Sequence, residues 1–206
     1  MVTTKNIKEQ LIEQLKTADL VRIPASEKDY FSVAYELPFK VEYHENEIIT
    51  MGLTSTWHEV LIMNLGRILG NIFLENDEIF VLGSNSGVQI PKFEGGYYMP
   101  DVVIVKGDFQ YKKNSKCIIT NPYIIVEVLS PSTKAFDLSE KLPEYKFLES
   151  LQQVIYINSK KVSVSTFTRS EKLRGWLNQD FYSLDDSITV EGVSILLSDI
   201  YRKIRF

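Results

Sequence analysis

The stretch "YIIVEVLSPST", residues 123–133, decides how this chain is read. Ile124, Ile125, Val126, Val128 and Leu129 predict a strand buried on both faces, the pattern of a sheet interior. Glu127 sits in its middle. An ionised carboxylate without a partner there would cost on the order of tens of kcal/mol by idealised solvation. Such a group is protonated, paired with a cation, or used to hold a metal. Pro131 ends the strand, and "SPST" makes a capping turn into whatever follows.

Downstream, "FDLSEKLPEYKFLESL" (136–151) predicts a helix with Asp137 near its start. Pro143 implies that its first turn is irregular or begins late. Asp137, Lys141 and Tyr145 recur at i, i+4 and i+8 and so share a face. "QQVIYINSKKVSVSTFTR" (152–169) reads as a hairpin turned at Asn158–Lys161, and "SITVEGVSILLSDIY" (187–201) as further strands and a short terminal helix. Upstream, "MPDVVIVKGD" (99–108) is a second apolar strand, entered through a proline, with Asp101 at its start. Two short strands, "EIFVLG" and "SGVQIP", and a Gly-Gly turn in "FEGGYY" precede it.

The segment "TSTWHEVLIMNLGRILGNIF" (54–73) predicts the longest helix. Thr54, Ser55 or Thr56 caps it, and Trp57, Leu61, Leu65, Ile68, Leu69 and Ile72 form its apolar stripe. "KVEYHENEIITMG" (40–52) is a hairpin with "HEN" as its turn. Residues 1–35 read as an N-terminal amphipathic helix (Ile7, Leu11, Ile12, Leu15) and an aperiodic connector. The whole chain, 1–206, is expected to be one mixed α/β domain, a central sheet with helices against it.

Composition narrows the function. A net charge of −4 lacks the basic excess of a protein that coats nucleic acid by charge alone. One cysteine, Cys117, and two histidines, His44 and His58, exclude a disulfide framework and a cysteine- or histidine-rich metal centre. Cys117 itself reads as a small apolar residue. No apolar run reaches the roughly 20 residues of a membrane span, and the N-terminus has no apolar signal core; a cytoplasmic protein is expected. Asp101 and Glu127, if brought face to face, repel and require a cation; Mg²⁺ or Mn²⁺, which prefer oxygen ligands, suit them.

The ordered set of "PD" and an apolar strand, an apolar strand with "EVLSPST", then Asp137, Lys141 and Tyr145, resembles the Uma-type restriction endonuclease family of the PD-(D/E)xK nuclease superfamily. Glu42 and Glu47 resemble the acidic opening hairpin of that family, and His58 the histidine that begins its long helix. The resemblance spans roughly residues 36–165 and implies a restriction-endonuclease-like fold. It also implies Mg²⁺- or Mn²⁺-dependent hydrolysis of DNA phosphodiester bonds, and cleavage of both strands would favour a homodimer with paired sites. In the superfamily pattern a lysine follows two positions after the acidic strand residue; here that position is Leu129. The resembled family supplies the lysine from the next helix, which points to Lys141.

On that resemblance, Asp101, Glu127 and the Val128 carbonyl hold the metal, Lys141 acts on water or phosphate, Tyr145 supports the lysine, and Glu42 assists. Each residue also has a plainer reading. Asp101 closes a turn after Pro100, and Glu127 belongs to a structural ion pair. Lys141 makes an exposed pair with Asp137, Tyr145 packs, His58 caps or packs, and Glu42 is a solvated edge residue. Lys112, Lys113 and Lys116 form a small basic loop, most simply a solvated surface. A non-catalytic nucleic-acid-binding or protein-interaction module on the same fold is the rival function.

Overall fold

Side chains alternate across a strand, and in residues 124–129 that alternation is complete. Ile124, Val126 and Val128 enter one core, while Ile125 and Leu129 enter another on the opposite face. A strand apolar on both sides needs a layer over each, and the fold supplies them. The computed structural model describes residues 4–37, 39–92 and 96–206. The first half runs α1 (Thr4–Gln14), β1 (Leu20–Pro24), α2 (Glu27–Ala34), β2 (Val41–His44), β3 (Glu47–Met51) and α3 (Thr56–Ile72). Short strands β4 (Ile79–Leu82), β5 (Gly87–Gln89) and β6 (Tyr97–Tyr98) lead into β7 (Val102–Lys106), β8 (Ile118–Ile119) and β9 (Ile124–Leu129).

A helix in three pieces follows: α4 (Lys134–Phe136), a π turn (Asp137–Lys141) and α5 (Leu142–Tyr145). The chain ends with β10 (Gln153–Asn158), β11 (Val164–Ser170), β12 (Gly175–Phe181), the hairpin β13 (Ser187–Val190) and β14 (Val193–Leu196), and α6 (Leu197–Ile200).

The described strands make two six-stranded mixed sheets, ordered β12-β11-β10-β9-β7-β4 and β1-β3-β2-β6-β5-β8, beside the β13–β14 hairpin. In the first sheet β9 lies parallel to β10 and antiparallel to β7. One face of it packs on α3, α6 and the last hairpin, with Leu61, Leu65, Leu69, Ile188 and Leu197 in the core. The other face packs on the second sheet and the three-piece helix through Ile49, Val88, Tyr98, Phe136 and Tyr145. A third cluster, with Ile7, Leu11, Tyr30, Val33 and Tyr43, seats α1 and α2 on the second sheet. Central mixed sheets flanked by helices are the expected architecture.

Three local differences carry information. The expected connector within residues 1–35 is ordered into β1 and α2. β1 adds a third strand to the hairpin, pairing Val21 with Thr50 and Ile23 with Ile48. α2 starts in a capping box, where the Ser26 hydroxyl accepts from the Asp29 amide and Asp29 accepts from the Ser26 amide. Next, the inner stripe of α3 begins at His58 rather than Trp57, which is 36% exposed. Ser55 is the N-cap, accepting from the His58 amide. Finally, Cys117 is exposed rather than packed. The hairpin turn at Glu45–Asn46 has positive φ at both residues, the geometry of a tight two-residue connection. Most of the expected Gly-Gly turn, residues 93–95, lies outside the described residues.

The irregular helix has a specific cause. Pro143 has no N–H to continue the ladder, and the Leu142 amide donates to the Asp137 carbonyl five residues back. The Tyr156 hydroxyl donates to the same carbonyl at 2.9 Å. The resulting π turn is the segment that carries Asp137 and Lys141.

Candidate functional site

The strand register assembles the site. Between β7 and β9, Val103 lies opposite Ile125 and Val102 opposite Val126, so the next step brings Asp101 opposite Glu127. Both side chains fall on the face turned toward the second sheet. β2 arrives there from the hairpin and places Glu42 over them, and the π turn lays Lys141 between. A cleft of about 620 Å³ opens onto this cluster, lined by Asp101, Glu127, Val128, Glu42, Lys141 and His58 among others.

Lys141 is buried, at 2% exposure, so the reading as an exposed pair is corrected. Its ammonium lies 3.0 Å from Glu42 Oε1, 3.1 Å from Glu127 Oε1 and 3.0 Å from Asp137 Oδ1. One ammonium thus faces three carboxylates, and it donates a hydrogen bond to Glu127 Oε1. The Tyr145 hydroxyl donates to Glu127 Oε1 at 2.8 Å, and the Met99 amide donates to Glu42 Oε1 at 2.7 Å. Glu42 is fully buried, so it is no solvated edge residue, and its Oε2 has no hydrogen-bond partner.

One cation against three carboxylates leaves this cluster short of positive charge. Burial pushes the Glu127 carboxyl up, to about 8; Lys141 pulls it down, and Asp137, Asp101 and Glu42 add to the rise. Lys141 is held well above the usual lysine range, because the three carboxylates outweigh its burial. Burial also raises the Tyr145 hydroxyl well above the usual phenol range.

Asp101 is the opposite case. Its Oδ1 is 2.6 Å from Lys40 Nζ, and its Oδ2 accepts from the Val128 amide at 2.9 Å. His58 Nε2 stands 3.4 Å from the same Oδ2 and donates to the Val128 carbonyl at 3.0 Å. Burial would raise the Asp101 carboxyl, but His58 and Lys40 hold it well below the usual carboxylate range. Burial would lower His58, yet the Asp101 carboxylate outweighs it and the imidazole is raised.

The fold thus brings together Asp101, Glu127, Val128, Lys141, Tyr145, Glu42, Asp137 and His58. Glu47 is elsewhere: it points to Arg22 at 3.4 Å, away from the cleft. Lys112 lies over the rings of Phe31 and Tyr97, also outside the cleft. Lys40 escapes a reading of the sequence, since a lysine one residue before a strand has no distinguishing pattern. A second ionic group on the same helix was equally hidden. His44 Nδ1 donates to the Tyr98 hydroxyl at 2.6 Å, which donates to Glu144 at 2.7 Å. Glu140 lies 3.3 Å from His44 and 2.6 Å from Arg22.

Among the described residues no group of three or more His, Cys, Asp or Glu side chains forms a metal-ready cluster. The available oxygen donors are two carboxylates, Asp101 and Glu127, and the Val128 carbonyl. Mg²⁺ commonly takes one or two protein carboxylates and fills the remainder with water and phosphate. Both Glu127 hydrogen bonds fall on Oε1, leaving Oε2 without one. The unpartnered Glu42 oxygen and the charge deficit around Lys141 are further signs of a place that accepts positive charge. The donor set fits a hard divalent cation.

Comparison with known proteins agrees with this architecture. A crystal structure from Anabaena variabilis, described as a "putative nuclease", superposes with a TM-score of 0.65, covering 84% of this chain and 97% of that one at 15% identity. That likeness is one of fold. The uncharacterized Synechocystis protein slr1290 is 30% identical over 169 residues, 81% of this chain and 86% of its own length. Another from the same organism, sll1609, is 35% identical over 120 residues, and the match spans 58% of this chain and 66% of sll1609. The model of the Uma2 family, "Putative restriction endonuclease", matches residues 28–198. The chain belongs to the Uma2 family and has the restriction-endonuclease-like fold.

Proposed function

We propose that the protein is a Mg²⁺- or Mn²⁺-dependent nuclease that hydrolyses phosphodiester bonds in DNA. One observation carries the reading: β7 and β9 set Asp101 opposite Glu127 at a cleft, with the helix-borne Lys141 3.1 Å from Glu127. Leu129, where the superfamily pattern has its lysine, is buried in the core, and Lys141 supplies the charge from the side. Asp101, Glu127 and the Val128 carbonyl would hold the ion. Bound there, it would polarise a phosphate and acidify a water.

The chain's own residues do the rest. Lys141 and Tyr145 fix Glu127 through its Oε1, so the carboxylate is oriented before substrate arrives. Lys141 also contributes its charge near developing negative charge on phosphate. Glu42, held by the Met99 amide, anchors the lysine from the second sheet. His58 fixes the Val128 carbonyl. Duplex cleavage would need two such sites, so the active species is proposed to be a homodimer working in the cytoplasm.

A specific observation supports the rival, non-catalytic module: Asp101 already has Lys40, the Val128 amide and His58 as partners. Calorimetric titration with Mn²⁺, followed by incubation of supercoiled plasmid with Mg²⁺ or with chelator, separates the two. The nuclease reading expects binding that Glu127→Gln abolishes, and plasmid cutting that chelator stops. A wild-type protein that binds no Mn²⁺ and leaves plasmid intact would establish the module instead.

A further inference from the structure

Of the oxygens proposed for the metal, those of Asp101 and Val128 are already engaged. Asp101 Oδ1 is taken by Lys40, Asp101 Oδ2 by the Val128 amide and His58, and the Val128 carbonyl by His58. A divalent cation therefore enters Asp101 only by exchange with a group already there. The amide belongs to the β9 backbone. His58 is buried on the first turn of α3, closed in by its neighbours. Lys40 differs from both, with a side chain 29% exposed at the cleft.

Its backbone is fixed, since the Lys40 carbonyl accepts from the Thr50 hydroxyl at 2.8 Å. The long flexible stem beyond that anchor can swing without disturbing the sheet. Lys40 is also the one amine contact of Asp101 among the described residues.

We propose that Lys40 is an exchangeable internal counter-ion: it occupies Asp101 until a divalent cation displaces its ammonium into the cleft. The inference rests on the metal reading above and adds the residue that sets how readily the metal enters. Lys40 neutralises a carboxylate that would otherwise repel Glu127 across the strand pair, and it competes with the metal for the same oxygen. The exchange keeps a positive charge on Asp101 in both states.

The test is Mn²⁺ calorimetry on the full chain, comparing wild type with Lys40→Met and Lys40→Arg. Methionine keeps much of the stem and removes the competing charge, so Mn²⁺ should bind about ten- to a hundredfold more tightly, the equivalent of one charge-assisted hydrogen bond. Arginine keeps the charge and should show no such gain. Equal or weaker binding by Lys40→Met beside a wild type that binds would overturn the exchange while leaving the metal site standing. If neither protein binds Mn²⁺, the metal reading fails and the exchange fails with it. A second readout needs no variant. Acylation of the wild-type Lys40 amine, followed by mass spectrometry, should quicken when Mn²⁺ saturates the protein. An unchanged rate at saturation would also overturn the proposal.

Discussion

Two ionic clusters hang from the helix over residues 134–145, and they differ in charge balance and in access to water. Around Lys141 one ammonium meets three carboxylates, all four groups almost fully buried. Beside it, Arg22 and His44 face Glu140, Glu144 and Glu47; Glu140 and Glu47 keep about a third of their side-chain surface in solvent. Water screens its Arg22, Glu140 and Glu47 half, which behaves as a fastening between helix and hairpin, while His44 and Glu144 are buried. The first has no such screen. Its imbalance shows as a raised Glu127 and an unpartnered Glu42 oxygen.

The largest expected effect comes from removing the one cation of the buried cluster. Lys141→Ala leaves three carboxylates together without compensation, and breaking a buried pair in this way costs about 3–5 kcal/mol. Urea denaturation of the apo protein measures it. Saturating Mg²⁺ should recover part of the loss, because an ion that binds only the folded state stabilises it. A loss under about 1 kcal/mol would mean that solvent reaches this cluster as it does the other.

Glu127→Gln should change how stability depends on pH. The folded carboxyl is raised to about 8 from an ordinary value of 4.5. Between those values the folded state holds a proton that the unfolded state has released, so wild-type stability falls as pH rises through the window. The slope is at most about 1.4 kcal/mol per pH unit for one proton. Glutamine carries no such proton and should flatten this limb in apo protein. His44 complicates the upper part: burial lowers its pKa, Glu144 and Glu140 raise it by more, and the net is a rise. Its contribution is therefore complete below about pH 6.5 and fades above, as the pH passes its folded value. An apo profile that Glu127→Gln leaves unchanged would show a Glu127 already ionised and paired.

Tyr145→Phe removes one hydrogen bond to Glu127 and little volume. A stability loss of about 1–3 kcal/mol is expected by denaturation, the range for a hydrogen bond to a charged or buried acceptor. Mn²⁺ affinity should shift less than in Glu127→Gln, because the carboxylate remains and Lys141 still holds it.

The contrast between the clusters also separates what a sequence can reveal from what it cannot. Glu127 was legible because its neighbours are so uniformly apolar that any buried charge there needs an explanation. The shared face of Asp137, Lys141 and Tyr145 was legible as helical spacing, even though a π turn interrupts the helix. The burial of Lys141 was not: an i, i+4 Asp–Lys pair ordinarily lies on a surface, and only the second sheet, bringing Glu42 on β2, closes over it. Lys40 and His44 reach their partners through the pairing of β2 with β6, a long-range event with no local signature. β1 and α2 were hidden for a different reason. Their segments are short and their periodicity weak, although the Ser26–Asp29 spacing is a helix-start signal.

The smallest effect should come from Arg22→Met, on the solvated side of the comparison. Arg22 has short-range partners: Glu140 at 2.6 Å, Glu47 at 3.4 Å, and the Phe136 ring 4.9 Å from its guanidinium. By distance alone it rivals Lys141. Its side chain is 30% exposed, however, so water and salt screen both carboxylates when the guanidinium is gone. Methionine also retains an apolar stem over Phe136. A loss below about 1 kcal/mol is expected, shrinking further in high salt, with Mn²⁺ affinity unchanged. Urea melts at low and high salt measure the first, and calorimetry the second. A loss as large as that of Lys141→Ala would break the distinction, because it would place the two clusters in the same dielectric surroundings and remove charge imbalance as the mark of the site.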